Sequence, residues 1–342
     1  MSGTSLDGID LAELIFNYAE KKWNFEILAA ETVPYSTFWK DELQESINHN
    51  LEKLERLDFK YTEKLSEEIS KFIKKNNIQE IDAVCSHGHT ILHRPDKGLT
   101  LQIGNLPRIS KMLGQKVVCN FRVQDVELGG QGAPLVPIGD KLLFSEFEYC
   151  LNLGGFANCS FEKNGERIAF DICPVNIVLN KYAETLGKDF DEGGKFAASG
   201  NLNKDLLQQL NSLSFYKETP PKSLGLEWVK EYIFPILDAS KIASEDILRT
   251  FTEHVAEQLA KVLGKNTSVL ITGGGAYNSF LIERLKDLAS IEVIVPSSEI
   301  VEYKEALIFG LLGVLKLRSE VNCLASVTGA SGDHSSGKIY IA

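Results

Sequence analysis

The pattern of apolar and polar positions divides the first part of the chain into strand-like and helix-like stretches. Runs of apolar and aromatic residues at 9–18 and 23–32, separated by a charged Glu20-Lys21-Lys22 turn, predict a β-hairpin. From residue 37 to residue 75, apolar residues recur every three or four positions, which predicts helices with solvated charged faces. Further strands are predicted at 81–86, 99–103 and 117–120, with a short helix at 107–113.

The second half of the chain begins in a similar way. Strands are predicted at 149–153, 158–162 and 167–171, the last two joined by a Lys163-Asn164-Gly165 turn. Helices are predicted at 175–186, 202–210, 227–237, 244–263, 278–288 and 304–317, and strands at 269–272 and 292–295. Strands that alternate with helices predict an α/β protein with mostly parallel sheets. We expect two similar domains, 1–135 and 136–342.

Composition narrows the class of protein. The 342 residues include 36 Lys and Arg against 47 Asp and Glu, a formal net charge of −11. Nucleic-acid binders concentrate basic residues on one face, so this balance argues against that class. No apolar run approaches the roughly 18 to 20 residues that cross a bilayer, and the N-terminus lacks the order of a signal peptide. We therefore expect a cytoplasmic protein that acts away from membranes.

The cysteines and histidines give little support for metal chemistry. The six cysteines form no Cys-x-x-Cys pair, and most lie in apolar strand-like segments, so free buried thiols are expected. His87 and His89, with His93 nearby, suggest zinc, but no cysteine or carboxylate accompanies them at ligand spacing. A loop that hydrogen-bonds its own imidazoles is the favoured interpretation.

Three glycine-rich loops carry the candidate chemistry, and the first is Met-Ser-Gly-Thr-Ser-Leu-Asp-Gly-Ile-Asp at residues 1–10. Small hydroxyl residues and backbone N–H groups of such a loop can surround an anion, and an aspartate can hold Mg²⁺ through water. A simple Gly/Ser turn at a frayed terminus is the alternative.

The second loop, Gly154-Gly155, lies between two predicted strands, and the third, Gly273-Gly274-Gly275, runs from an apolar strand towards a helix. Glycine allows the backbone to approach a phosphate closely, and a nucleotide can lie across a helix N-terminus. For the second loop, a tight hairpin turn is the alternative. Neither the P-loop pattern nor Gly-x-Gly-x-x-Gly is present, so those two folds are disfavoured.

These three loops, in this order, resemble the two phosphate motifs and the adenosine motif of the sugar kinase, Hsp70 and actin superfamily. That resemblance implies two ribonuclease-H-like domains around a central nucleotide cleft. Within the superfamily the chain resembles the anhydro-N-acetylmuramic acid kinase family in stretches that span nearly its whole length. The matching stretches are 1–10, 86–95, 101–104, 121–137, 151–158, 170–171 with Asn176, 191–200, 221–225, 273–278, 305–306 and 327–330.

The resemblance implies an ATP-dependent kinase that opens the 1,6-anhydro ring of anhydro-N-acetylmuramic acid with water and phosphorylates O6. The product would be N-acetylmuramic acid 6-phosphate, in the recycling of cell-wall peptidoglycan. The cofactors implied are ATP and Mg²⁺, the partner is a small amino sugar, and the assembly is a homodimer.

The family match also assigns residues. Asp171 matches the catalytic aspartate, with capping of the following helix as the alternative, and Asp7 is implied to hold Mg²⁺ through water. The residues implied to bind the cofactor are Gly3, Thr4, Ser5, Leu6, Asp7, Gly8, Ile9, Asp10, Gly154, Gly155, Gly273, Gly274 and Gly275.

The residues implied to bind the sugar are Thr90, Arg122 and Glu305. Arg122 could hold a carboxylate or a ring hydroxyl, and a surface ion pair with Asp125 is the alternative. Glu305 could contact the sugar or stabilise a helix N-terminus. His87 and Arg94 are further candidates for the sugar pocket.

The chain departs from the family at two places. Asp171 is followed by Ile172-Cys173-Pro174-Val175, where the family pattern is Thr-Gly-Pro-Gly. A related sugar kinase of different specificity or weakened activity therefore stays open, as does an ATP-dependent clamp of the Hsp70 or actin type. A strand of roughly six to ten residues should also precede the first phosphate loop, and none precedes Met1. A poorly ordered first loop and a wrongly assigned start codon are expected.

Overall fold

The structure is a computed structural model that describes residues 1–3 and 6–342. The chain forms two compact units, one of Met1–Leu143 with Tyr303–Ala342 and one of Phe144–Glu302. The predicted domains were two continuous segments, whereas the first unit also contains the last forty residues of the chain. The α/β class with two units is observed, and the sheets are mixed.

The first unit begins with the predicted hairpin. Strand β1 (Gly8–Ala19) pairs antiparallel with β2 (Lys22–Pro34) through a two-residue turn. Both turn residues, Glu20 and Lys21, have positive φ, which is the type I′ geometry that matches the twist of a hairpin. A bulge at Glu13/Leu14 interrupts the register.

Five further strands complete the first unit. Strand β6 (Val117–Cys119) lies between β3 (Val84–Ser86), which is parallel to it, and β12 (Lys338–Tyr340), which is antiparallel. Strands β4 (His89–Arg94) and β5 (Leu99–Ile103) form a separate antiparallel pair. The expectation of a loop around His89 and His93 is therefore wrong, because the segment finds a hydrogen-bonding partner in β5.

The helices of the first unit are α1 (Thr37–Glu45), α2 (Leu51–Lys75), α3 (Arg108–Leu113), α4 (Val123–Glu127) and α5 (Pro137–Leu143). Asn50 caps α2 by accepting a hydrogen bond from the Lys53 amide at 3.0 Å. The apolar face of α2 places Tyr61 and Leu65 in a core with Ile9 and Ile103. This core supports the hairpin that follows the first glycine loop.

The second unit is built on one mixed sheet. Its strands are β7 (Tyr149–Leu153), β8 (Phe156–Lys163), β9 (Glu166–Pro174), β10 (Thr267–Thr272) and β11 (Ile291–Ile294), in the order β11-β10-β7-β8-β9. The first three in that order are parallel, and β7, β8 and β9 are antiparallel. The prediction of mostly parallel sheets is wrong, since tight turns join β7, β8 and β9 as hairpins.

The remaining helices follow in chain order, and the part of the chain after residue 302 belongs to the first unit. They are α6 (Asn176–Glu184), α7 (Lys195–Ser199), α8 (Lys204–Asn211), α9 (Leu226–Trp228), α10 (Phe234–Ala239), α11 (Ser244–Val262), α12 (Ser279–Leu288), α13 (Ser298–Leu317) and α14 (Ala325–Thr328). A π-helical turn, Val229–Ile233, joins α9 to α10. Helix α13 contains the boundary between the two units and begins six residues before its predicted start.

All six cysteines are free, and five of them are buried, as expected for thiols in apolar strands. No helix in the described part of the chain combines the length and apolarity that crossing a membrane requires.

Candidate active site

The second glycine loop is the turn between β7 and β8. The Gly154 amide donates to the Phe156 carbonyl at 3.2 Å, and the Gly154 carbonyl accepts from the Asn176 amide at 3.3 Å. A Cβ added at Gly155 would meet nothing nearer than Ile177 Cβ at 3.9 Å. The loop is therefore a tight hairpin turn, and its second glycine faces open space that a ligand can approach.

The third glycine loop lies directly against the second. Gly273 has φ of +80°, and a Cβ there would lie 2.6 Å from Asn152 Oδ1. A Cβ on Gly275 would lie 2.7 Å from Leu153 Cβ, so both glycines are required by close packing on the end of β7. Gly274 differs, because its nearest neighbour would be Asn176 Nδ2 at 3.8 Å. The structure thus brings both loops of this unit together.

Asn176 connects the two loops. Its side-chain amide donates to the Leu153 carbonyl at 3.2 Å, and it is the first residue of α6. The third loop continues into a 3₁₀ turn, Gly274–Tyr277, and α12 begins only afterwards, capped by Asn278. The helix therefore begins one residue after its predicted start at residue 278, with the 3₁₀ turn between it and Gly273.

Asp171 lies near the end of β9 beside a β-bulge. Asn158 pairs with Asp171 and Ala157 pairs with Cys173, so Ile172 is the extra residue. Bulges re-aim the side chains next to them. Asp171 Oδ2 accepts a hydrogen bond from the Leu224 amide at 2.8 Å, and the Asp171 amide donates to the Lys222 carbonyl at 3.1 Å.

The surroundings of Asp171 suit a proton acceptor. Burial raises the pKa of its carboxyl, and the hydrogen bond from Leu224 opposes that shift. The alternative role as a helix cap is wrong, because the residue at the N-cap of α6 is Val175. The side chains of Ile172, Cys173 and Val175 are buried in the core. The residues that depart from the family pattern therefore contribute their side chains to the core.

Arg122 precedes α4 in the first unit and is held by two hydrogen bonds. Its Nε donates to His87 Nε2 at 2.9 Å, and its Nη1 donates to the Gly132 carbonyl at 2.7 Å. Asp125 is fully buried and accepts from the Gly132 amide at 2.6 Å. The alternative of a surface ion pair between Arg122 and Asp125 is therefore wrong.

His87 fixes the direction of the arginine. Because its Nε2 accepts from Arg122, its Nδ1 carries the proton and donates to the Gly88 carbonyl at 2.9 Å. Burial, and then the charge of Arg122, hold the pKa of His87 well below its usual range. The imidazole is therefore neutral, and Phe309 packs edge-on against it at 4.7 Å between ring centroids. Sequence reasoning named His87 but missed this contact, for which Ser-His-Gly-His offers no signal.

Glu305 lies in the third turn of α13, so the alternative of a helix N-terminus is wrong. Desolvation by surrounding protein atoms raises its pKa, although the side chain retains contact with solvent. The charge of Arg122 opposes this rise, and the charge of Asp10 adds to it. Arg122, Glu305 and Asp10 therefore form one electrostatic group within the first unit. Asp10 also accepts a hydrogen bond from Thr32 Oγ1 at 2.6 Å.

Thr90 and Arg94 belong to the β4–β5 hairpin. Gln102 Nε2 lies 3.4 Å from Thr90 Oγ1, and Arg94 is exposed at the end of β4. The imidazoles nearby are hydrogen-bonded, as expected: His89 Nδ1 lies 2.9 Å from Ser2 Oγ, and His93 Nδ1 lies 3.0 Å from Thr100 Oγ1.

The first glycine loop is described only in part, and Thr4 and Ser5 lie outside the described residues. The expectation that this loop is poorly ordered therefore concerns residues outside the described part of the chain. Asp7 is exposed, and its carboxylate accepts from the Gly8 amide at 3.0 Å. A Cβ on Gly8 would lie 2.5 Å from the Val33 carbonyl, so pairing with β2 explains this glycine. Ile9 is buried in the core, which leaves only its backbone for a ligand.

Gly3 and Leu6 flank the undescribed pair. The Leu6 amide donates to the Gly3 carbonyl at 3.4 Å, and Leu6 has a φ of 58°, in the left-handed region. A non-glycine residue rarely adopts that conformation outside a tight turn. The loop therefore reverses direction at Leu6, directly before Asp7.

The comparisons with known proteins assign the chain to a family of kinases. A family model described as Anhydro-N-acetylmuramic acid kinase matches residues 1–342, and the chain belongs to that family. The relative of that name from Francisella tularensis subsp. novicida is 34% identical and covers 96% of this chain and 94% of its own length. The relative of the same name from Xylella fastidiosa is 35% identical, and the match covers 99% of this chain and 94% of that relative. The resemblance seen in the motifs is confirmed.

Among solved structures, the chain aligns with the activator of the 2-hydroxyisocaproyl-CoA dehydratase from Clostridium difficile with bound ADPNP. The TM-score is 0.35 and the identity 18%, over 61% of this chain and 82% of that one. A likeness of this size adds nothing to the family assignment, which rests on sequence.

Proposed function

We propose that this protein phosphorylates O6 of 1,6-anhydro-N-acetylmuramic acid with ATP while water opens the anhydro ring. In this reaction the water oxygen bonds to the anomeric carbon, the bond from that carbon to O6 breaks, and O6 takes the phosphoryl group. The product is N-acetylmuramic acid 6-phosphate, an intermediate of peptidoglycan recycling. Membership of the kinase family over the whole chain supports this proposal.

Asp171 is the proposed general base, and its environment is the observation that carries the proposal. The attacking water must lose a proton, and a carboxylate with a raised pKa accepts one more readily than an ordinary aspartate. The Leu224 amide fixes one carboxylate oxygen at 2.8 Å and leaves the other for the water. Lys222 contributes its carbonyl to the Asp171 backbone, so the 221–225 segment orients the base.

The glycine loops of the second unit fit a nucleotide. Gly155 and Gly274 each face space that a Cβ would fill, and backbone can approach a phosphate closely there. When bound, ATP with Mg²⁺ supplies the phosphoryl group and neutralises its charge. We assign the phosphates to Gly3–Asp10, Gly154 and Gly155, the adenosine to Gly273–Gly275, and the water-mediated Mg²⁺ contact to Asp7.

Arg122 and Glu305 are the proposed sugar contacts, with Thr90 at the margin of the same pocket. The guanidinium of Arg122 suits the lactyl carboxylate of the sugar. Arg122 Nε donates to His87, which fixes one edge of that guanidinium. The raised pKa of Glu305 suits a hydrogen bond to a ring hydroxyl. We further propose a homodimer in the cytoplasm, on the strength of the family resemblance. Size-exclusion chromatography with light scattering tests the dimer.

The direct test measures ATP consumption with anhydro-N-acetylmuramic acid and with a panel of plain sugars. We expect turnover with the anhydro sugar only, and a loss of about 10²–10⁴-fold in kcat for Asp171→Asn, because general base catalysis contributes that much. Asp189→Asn is the matched control, since Asp189 is an exposed aspartate of the same unit. It should keep wild-type turnover.

Three results would contradict the proposal. Full turnover by Asp171→Asn would contradict the proposed role of Asp171 as base but not the proposed kinase activity. Turnover with a different sugar would favour a related sugar kinase. ATP hydrolysis that no sugar stimulates would favour a nucleotide-dependent clamp.

A further inference from the structure

A buried cluster of three metal-ligating side chains lies in the first unit, beside the loop that holds Arg122. It consists of Asp125 on α4, Cys323 and His334, whose ligating atoms all lie within 4.8 Å of one another. Cys323 and His334 face each other across an antiparallel bridge, with backbone hydrogen bonds of 3.1 and 3.2 Å. The backbone therefore holds the sulfur and the imidazole side by side.

Asp125 is the centre of the cluster and has no exposed surface. Its Oδ1 accepts from Thr328 Oγ1 at 2.6 Å and from Cys323 Sγ at 3.0 Å, and its Oδ2 accepts from the Gly132 amide at 2.6 Å. The Cys323 sulfur is therefore placed directly against the carboxylate.

His334 is the observation that points to a missing ligand. Its Nδ1 lies 3.0 Å from the Gly332 carbonyl, so Nδ1 carries a proton and donates it there. Its Nε2 is buried, has no hydrogen-bond partner among the described residues, and lies 3.6 Å from Asp125 Oδ1. In the neutral imidazole, two acceptors then face each other in a buried space. A cation bound between the two atoms relieves that arrangement.

We propose that Cys323 Sγ, His334 Nε2 and Asp125 Oδ1 bind one Zn²⁺ ion. Thiolate, imidazole and carboxylate are the ligands of zinc, whereas Mg²⁺ and Ca²⁺ prefer oxygen alone. The Nδ1 hydrogen bond to a backbone carbonyl is the arrangement that orients a metal-binding histidine.

The charge balance also fits a divalent cation. On binding, the Cys323 thiol gives its proton to solvent, and the thiolate and the Asp125 carboxylate together neutralise the ion. His334 binds as the neutral imidazole. A water molecule or the Thr328 hydroxyl takes the fourth tetrahedral position, since Thr328 Oγ1 already lies against Asp125.

The site would stabilise the first unit and would act on the proposed sugar contacts only through the loop that holds Arg122. Asp125 holds the Gly132 amide, and the Gly132 carbonyl accepts from Arg122. Zinc would therefore fix the loop that also fixes Arg122, while Cys323 and His334 join that loop to the C-terminal segment.

The test uses the full chain, loaded with Zn²⁺ and dialysed against metal-free buffer, with bound zinc measured by mass spectrometry. We expect one zinc ion per chain, and a loss of affinity of about 100-fold or more in Cys323→Ser and His334→Gln. Cys119→Ser is the matched control, because Cys119 is a buried thiol of the same unit whose sulfur faces only the Asn105 carbonyl at 3.9 Å. It should keep full affinity.

Cobalt gives a readout that does not depend on how well the variants fold. Co²⁺ added to the wild-type chain should produce a thiolate-to-cobalt charge-transfer band, and X-ray absorption should find one sulfur ligand with nitrogen and oxygen. A wild-type chain that retains no zinc overturns the proposal. So does zinc that Cys323→Ser or His334→Gln binds as tightly as wild type.

Discussion

Gly273 and Gly155 lie in neighbouring loops of the second unit, but the structure requires only one of them to be glycine. Gly273 has positive φ and a Cβ there would lie 2.6 Å from Asn152 Oδ1, so the native fold needs it. Gly155 has open space at the Cβ position. Close packing in the fold therefore explains the first glycine, and the proposed nucleotide contact would explain the second.

This difference predicts opposite effects of two alanine substitutions. Gly273→Ala should destabilise the protein by about 1–3 kcal/mol, because left-handed backbone and a close contact both disfavour a Cβ. Gly155→Ala should leave stability nearly unchanged and raise the KM for ATP. Urea unfolding and steady-state kinetics on both variants check this. Equal stability of the two variants would contradict it.

The raised pKa of Asp171 predicts where activity fails at low pH. The proposed base, Asp171, works only when deprotonated, so kcat should fall as pH drops below the pKa of Asp171. Because burial raises that pKa, the acidic limb should lie above the value of about 3.9 of an ordinary aspartate. The pH profile of kcat in wild type and Asp171→Glu measures it. An acidic limb that does not move with this substitution would belong to another group.

At the scale of elements, α11 is the central helix of the second unit. It contacts α12, α7, α6 and α8, and Phe251 and Val255 on it are fully buried. Glu253 on the same helix is 5% exposed and accepts hydrogen bonds from Arg249 on its own helix and from Arg284 on α12. This carboxylate joins two helices through charge.

Loss of that charge should weaken the unit. Glu253→Gln should lower the free energy of unfolding by about 2 kcal/mol at neutral pH, since the neutral amide removes the negative charge that pairs with Arg249 and Arg284. Glu283→Gln, at an exposed glutamate of α12, is the control and should change it by under about 0.5 kcal/mol. Urea unfolding measures both.

The same substitution carries a pH dependence. The hydrogen bond from Arg284 is the main cause that lowers the pKa of Glu253, so its contribution to stability is present above the unfolded value of about 4.3 and is lost as pH falls below it. The difference in free energy of unfolding between wild type and Glu253→Gln should therefore become smaller under acidic conditions. A gap that stays constant with pH would mean that shape, rather than charge, stabilises this contact.

At the scale of the whole molecule, the C-terminal segment returns to the first unit. Strand β12 pairs with β6, Ser336 Oγ donates to the Phe121 carbonyl, and the Ser336 amide donates to Asn322 Oδ1 at 2.6 Å. Ser110 Oγ also donates to the Ile341 carbonyl at 3.0 Å. Residues more than two hundred positions apart in sequence thus complete one sheet.

Removal of residues 335–342 should destabilise the first unit by about 3 kcal/mol, from several lost hydrogen bonds of about 1 kcal/mol each. Hydrogen exchange followed by mass spectrometry should show faster exchange in 117–119 and unchanged exchange in 267–272, which belong to the other unit. Equal loss of protection in both segments would contradict a local role.

Much of the fold could be predicted from local pattern. The β1–β2 hairpin and α11 were predicted within a few residues, and α2 lies within the helical stretch predicted at 37–75, because each has a clear periodicity of its own. Strand β4 was missed because its partner β5 alone makes it a strand. The start of α13 was missed because helical continuity into residues 298–303 has no strong signal in the sequence.

Residue type and order along the chain were enough to assign the family, to locate the three glycine loops and to indicate Asp171 as the candidate base. Only the tertiary structure decided that Asp125 is buried, that His87 holds Arg122, and that Cys323 and His334 face each other. The physical reason is that hydrogen bonds, burial and charge act between atoms that are close in space. Nothing in local sequence records which distant residues will become neighbours.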